Sequence, residues 1–149
     1  MSVTWTELEN QRRVAKEPTT KSEIDEFRAL AERNLKDATL PQLSADGRFS
    51  MAYDAARTLT NVTIRASGYR VKQMGGAHYN TFLALPVAMG TAYDTLAAYF
   101  DGCRQSRNDL SYGAASVVSD SDATELLEKT TEFRKSVEQW PRTNHTTLI

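Results

Sequence analysis

The residues best suited to chemistry crowd together late in the chain, in the run Asp101, Gly102, Cys103, Arg104, Gln105, Ser106, Arg107, Asn108, Asp109, Leu110, Ser111, Tyr112, Gly113. On a helix, steps of four align Arg104, Asn108 and Tyr112 in one row and put Arg107 and Ser111 in the row beside it. A guanidinium presents a planar fork of donors matched to phosphate oxygens, an amide orients a phosphate or an arginine, and a phenol stacks or donates. That set suits an RNA backbone. The plainer role is internal, since arginine and asparagine near a helix end also satisfy carbonyls or pair with carboxylates such as Asp101 and Asp109.

A second feature is a stretch without carboxylates. Between Asp54 and Asp94 there is no Asp or Glu, while Arg57, Arg65, Arg70 and Lys72 add positive charge and Tyr69, His78 and Tyr79 lie nearby. A cationic surface carrying aromatic rings attracts an anion or single-stranded nucleic acid; a solvated helix face is the alternative. Arg70, Lys72 and His78 therefore join Arg104 as candidate nucleic-acid contacts. His78 follows Gly75 and Gly76 at an expected helix start, where capping or packing also accounts for it.

The other histidine is His145. Neither has a ligand partner four residues on, and no HExxH or Cys/His spacing exists, so no metal and no cofactor is expected. The chain has no phosphate loop, no GxGxxG, no GxSxG elbow and no paired Cys/His nucleophile. The aromatic residues Phe49, Tyr53, Tyr93, Tyr99, Phe100, Phe133 and Trp140 follow helical spacing and read as core.

The elements that must position these groups are helices. Trp5 to Lys16 reads as a short first helix or arm, within an N-terminal region 1–18 closed by Pro18. Thr20 with Glu23 is a capping box, and Ile24, Phe27, Ala31, Leu35 and Ala38 form one apolar face. Pro41 breaks the chain, Ser44 caps the next helix, and Phe49, Ala52, Tyr53, Ala56, Leu59 and Val62 carry it to a left-handed stop at Gly68. Tyr69 to Gly76 reads as a connection. A further helix from Ala77 is kinked or divided at Pro86 and resumes toward Leu110. Ser119 and Asp122 are placed to begin a last helix, with Leu126, Thr130, Phe133, Val137 and Trp140 on its inner face and Pro141 as its stop; residues 142–149 are expected to form a disordered tail. No stretch alternates long enough to predict a strand.

With 149 residues, 40% hydrophobic and 25% charged, residues 1–149 fit one domain, and the fold class expected is all-α, an antiparallel bundle of four to five helices. A formal net charge of -1 argues against a protein that coats nucleic acid or membrane, leaving a local patch as the only route to either. One cysteine, no leader pattern and no long apolar run together point to a reducing, cytoplasmic setting without a membrane partner.

The helix order, the segment RFSMAYDAARTLTNVTIRASGYR from Arg48 to Arg70, the GGAH of Gly75 to His78 and RNDLSYG from Arg107 to Gly113 resemble the HEPN superfamily of small helical domains. The resemblance spans about Thr20 to Trp140. It implies a bundle that forms a homodimer, and a role in binding RNA or a nucleotide, as a toxin-type metal-independent endoribonuclease or an inactive relative. It also implies the alternative of a non-catalytic module partnering a nucleotidyltransferase, or a toxin held by a cognate antitoxin. Carried over by position, Arg107 matches the family's motif arginine and Asn108 its polar neighbour, while Tyr112 stands where the motif histidine belongs. Arg107, Asn108 and Tyr112 are thus the expected catalytic set. Tyr112 is the departure, because a phenol ordinarily titrates near 10 and is a poor base at neutrality.

Overall fold

The computed structural model describes residues 3–111 and 118–144, with side chains described in 3–110 and 118–140. Helix starts follow the capping chemistry. Thr20 accepts from the Glu23 N–H at 3.1 Å and Ser44 from the Gly47 N–H at 3.0 Å, opening α2 (Lys21–Asp37) and α3 (Ala45–Ala66). Ser119 and Asp122 cap reciprocally: the Asp122 N–H donates to Ser119 Oγ at 3.1 Å and the Ser119 N–H to Asp122 Oδ2 at 3.0 Å. That box begins α6 (Asp120–Asn144). Gly68, at φ +89°, ends α3 with its N–H on the Arg65 carbonyl, as a left-handed stop must.

Between them lie α4 (Ala77–Met89) and α5 (Asp94–Ser111). The central element is α3, which packs against α2, α4, α5 and α6 and is buried on several sides. Its Tyr53 begins a chain of aromatic contacts through Phe82, Phe100 and Phe133, with ring centroids 5.8, 5.6 and 5.4 Å apart. Contacts of that spacing add to area burial and fix the helices in register. The fold is therefore all-α: five long helices, α2 to α6, form a bundle, with a short α1 (Trp5–Asn10) as a sixth among the described residues.

The structure departs from expectation at both ends and at two prolines. The N-terminal arm is half helix and half strand: β1 (Val14–Lys16) pairs antiparallel with β2 (Tyr69–Val71), Val14 opposite Val71 and Lys16 opposite Tyr69. Three residues per strand leave no alternation to read. The turn into β1 is a helix stop without glycine, Arg12 standing at φ 60° while the Arg13 N–H reaches back to the Leu8 carbonyl. Leu8, Val14, Ile64, Val71 and Ala84 form a small second core there, and Trp5 stacks on Tyr69 at 4.4 Å.

Pro86 does not divide its helix; it lies inside α4, and the break comes at Gly90, φ +106°, before a 3-10 turn at Thr91–Tyr93. Pro141 likewise lies inside α6, which runs to Asn144, so the helix takes in the first residues of the expected 142–149 tail. A proline removes one backbone bond, a cost that packing along the rest of a long helix offsets. Residues 145–149, with His145, lie outside the described residues. Among the described residues no helix is long and apolar enough to cross a membrane.

Candidate functional site

Three helices converge on one corner. From α3 come Tyr53 and Arg57, one turn apart, with Asp54 beside them; from the first turn of α4 come His78, Tyr79 and Asn80; from α5 come Arg104 and Arg107, again one turn apart. The glycine pair ahead of α4 fixes the entry angle: Gly76, at φ +83°, is the N-cap, and no side chain caps the helix. His78 is thereby directed to α3, where its Nδ1 lies 3.0 Å from the Tyr53 hydroxyl.

Arg107 binds the same tyrosine from the other element. Its guanidinium carbon stands 5.2 Å from the Tyr53 ring centroid, and Nη2 is 3.3 Å from Asp54 Oδ1. Arg104 donates through Nε to Asp101 Oδ1 at 2.6 Å and lies 5.6 Å from the ring centroid of Tyr79, which Arg13 also approaches, at 5.7 Å. Arg57 Nε is buried without a hydrogen-bond partner.

Burial, together with these charges, sets the protonation states. Burial pushes the His78 imidazole below its ordinary 6.5, and Arg57, Arg107 and Arg104 push it the same way against Asp54. Burial drives the Tyr53 phenol upward, opposed by the same three guanidinium groups. At neutral pH the pair is a neutral ring and a protonated phenol. With the ring proton on Nδ1, the imidazole donates to Tyr53 and Nε2 is a base; with the proton on Nε2, the phenol donates to Nδ1 and Nε2–H is only a hydrogen-bond donor.

Of the residues singled out from the sequence, Arg104, Arg107 and His78 come together. Asn108 is exposed on the solvent side of α5, and Tyr112 lies outside the described residues. Arg70 is committed elsewhere, its Nε 3.2 Å from Glu17 Oε1, and Lys72 sits beyond β2 with its N–H on the Arg13 carbonyl. The carboxylate-free stretch is therefore not one face. Arg65, within it, is a buried anchor that donates to Glu23 and to the carbonyls of Glu17, Pro18 and Tyr69.

Sequence reasoning missed Tyr53 and Asp54 as site members and counted Arg57 only as charge. The available signal was the Tyr-Asp-x-x-Arg spacing on α3, which puts all three near one another on the helix surface. Among the described residues no group of three or more His, Cys, Asp or Glu is placed to hold a metal ion. Cys103 is buried, which raises its thiol to about 11 and leaves it a core residue rather than a nucleophile. Comparison with family models, with curated proteins and with solved structures gave no match.

Proposed function

We propose that this corner binds the phosphodiester backbone of RNA and cleaves it without a metal ion, in the manner the HEPN resemblance implies, but with His78 in place of the missing motif histidine. The observation that carries the reading is the convergence on Tyr53 of one half-buried imidazole and one guanidinium: His78 Nδ1 lies 3.0 Å from its hydroxyl and Arg107 stands 5.2 Å from its ring centroid. Guanidinium groups stay charged and cannot supply a proton at neutral pH, so the site divides into charge stabilisers and one proton carrier.

In that chemistry Nε2 of His78 takes the proton of the ribose 2'-hydroxyl as the O2'–P bond forms. The P–O5' bond breaks, and the imidazolium returns the proton to the leaving O5'. Arg57 and Arg107 balance charge on the phosphoryl oxygens. Tyr53 holds the ring, acting as a positioning residue. His78 and Arg107 belong to the same chain, so the constellation does not depend on a second copy, although the resemblance implies a homodimer.

One observation favours a different reading. Arg104 pairs with Asp101 and Arg107 with Asp54, the pattern of an internal ion-pair network. Fluorescence titration of single-stranded RNA at two salt concentrations, on the wild type and Arg107→Ala, separates the two. Binding that weakens with salt and falls at least tenfold in Arg107→Ala, at an unchanged melting temperature, supports the RNA site. A lowered melting temperature with RNA affinity unaltered, or no RNA binding by the wild type, assigns Arg107 to the internal network.

A further inference from the structure

The Arg104–Asp101 pair has two sides. Toward α3, Arg104 acts on Tyr53 and His78. Toward α4, Asp101 lines a groove of about 230 Å³ between α4 and α5, walled by Tyr79, Leu83, Pro86 and Ala98, with Asp94 as its second carboxylate. Tyr79 is 40% exposed, and its ring already neighbours two guanidinium groups. A solvent-facing aromatic ring at the mouth of an apolar groove, one residue after His78, is a stacking surface placed beside the phosphate position.

The dimensions limit the occupant. Pockets for drug-sized ligands measure roughly 300–1,000 Å³, so this smaller groove suits one planar ring system and not a whole nucleotide. Its acidic rim limits the occupant further. Asp101 is taken up by Arg104 and Gln105, which leaves Asp94, and a carboxylate whose two oxygens only accept favours a base edge with adjacent donors and disfavours one that presents carbonyls. Guanine carries N1–H and the N2 amino group side by side. Uracil flanks its single N–H with two carbonyls, and adenine and cytosine set a ring acceptor beside the amino group.

We infer that the α4/α5 groove is a nucleobase subsite for the nucleotide whose phosphate lies at Arg107, and that it prefers guanine. The inference rests on the phosphate-binding reading above and adds specificity to it. The base stacks against Tyr79, the apolar wall excludes water from its face, and Asp94 accepts from its Watson–Crick edge. Asp101 holds Arg104 so that the groove and the phosphate position keep a fixed separation.

The test is calorimetric titration of the wild type, Asp94→Asn and Ala98→Trp with inorganic phosphate and with each of the four nucleoside 3'-monophosphates. Ala98 is exposed, so a tryptophan there fills the groove from its rim, and circular-dichroism melts confirm that each variant folds. The expected result is 3'-GMP binding about tenfold more tightly than 3'-UMP. That preference shrinks in Asp94→Asn, and in Ala98→Trp the nucleotides fall to the affinity of phosphate, which itself is unchanged. Equal affinity for phosphate and all four nucleotides, or a preference for uracil, overturns the base subsite while the phosphate site stands. Failure of phosphate and nucleotides alike overturns the phosphate site, and the groove proposal with it.

Discussion

A neutral imidazole among guanidinium groups is a costly arrangement to protonate, and that cost has a pH signature. Because His78 is depressed below 6.5 in the folded protein, the unfolded chain takes up the proton first as pH falls. The contribution of His78 is then constant above about 6.5 and declines as pH drops from there toward the folded value. Urea unfolding from pH 8 to pH 5 should show this decline, and His78→Gln should flatten it; an identical slope in the variant would show that His78 is not the group concerned. Glu23 acts in another window: its carboxyl is lowered by the Thr19 hydroxyl and by Arg65, so its contribution is lost only in the acid range below 4.5. At this scale half of the site was legible. The α5 arginines announced themselves by density, whereas Tyr53 and Asp54 did not, because their part depends on contacts with His78 and Arg107 that lie far away in sequence.

The elements place the site through two junctions. One is the glycine pair before α4, which aims His78. The other is Arg65, 6% exposed at the end of α3, whose guanidinium joins Glu23 of α2 to the carbonyls of Glu17 and Pro18 and to Tyr69 of β2. Replacing it by methionine keeps the apolar bulk and leaves those acceptors without their donor. Arg65→Met should lower stability by about 3 kcal/mol, toward the smaller end for a broken buried pair because Glu17 and Glu23 keep contact with water. The fluorescence of Trp5, stacked on Tyr69, should change with it if the β arm loosens. An unfolding midpoint within error of the wild type would show that the arm is held by its small apolar core instead. The helix starts at Thr20, Ser44 and Ser119 were readable because capping is local chemistry. The strands were not, and neither was the stop at Arg12, since a left-handed residue that is not glycine has no sequence mark. Pro86 misled for the converse reason: a local breaker signal was overridden by the packing of α4 against α3 and α5.

The molecule as a whole carries a net charge of -1, so any affinity for RNA must come from segregation rather than excess. Within this region the fold directs Arg65 and Arg70 to Glu17 and Glu23 on the side of the β arm, and brings Arg57, Arg104 and Arg107 to the corner shared by α3, α4 and α5, where Asp101 and Asp54 pair with the last two. The all-helical bundle was legible from the apolar periodicity of its long helices, while the division of these five arginines into two groups appears only once α3 is placed at the centre. The central claim, that the guanidinium groups around His78 form an anion site, predicts that a bound phosphate offsets their charge and makes the imidazole easier to protonate. The direct measurement is the NMR titration of the His78 ring, alone and saturated with a short 2'-O-methyl RNA that cannot be cleaved. An apparent pKa below 6.5 in the free protein that rises on binding is the result the account predicts; a value unmoved by saturating RNA would contradict it.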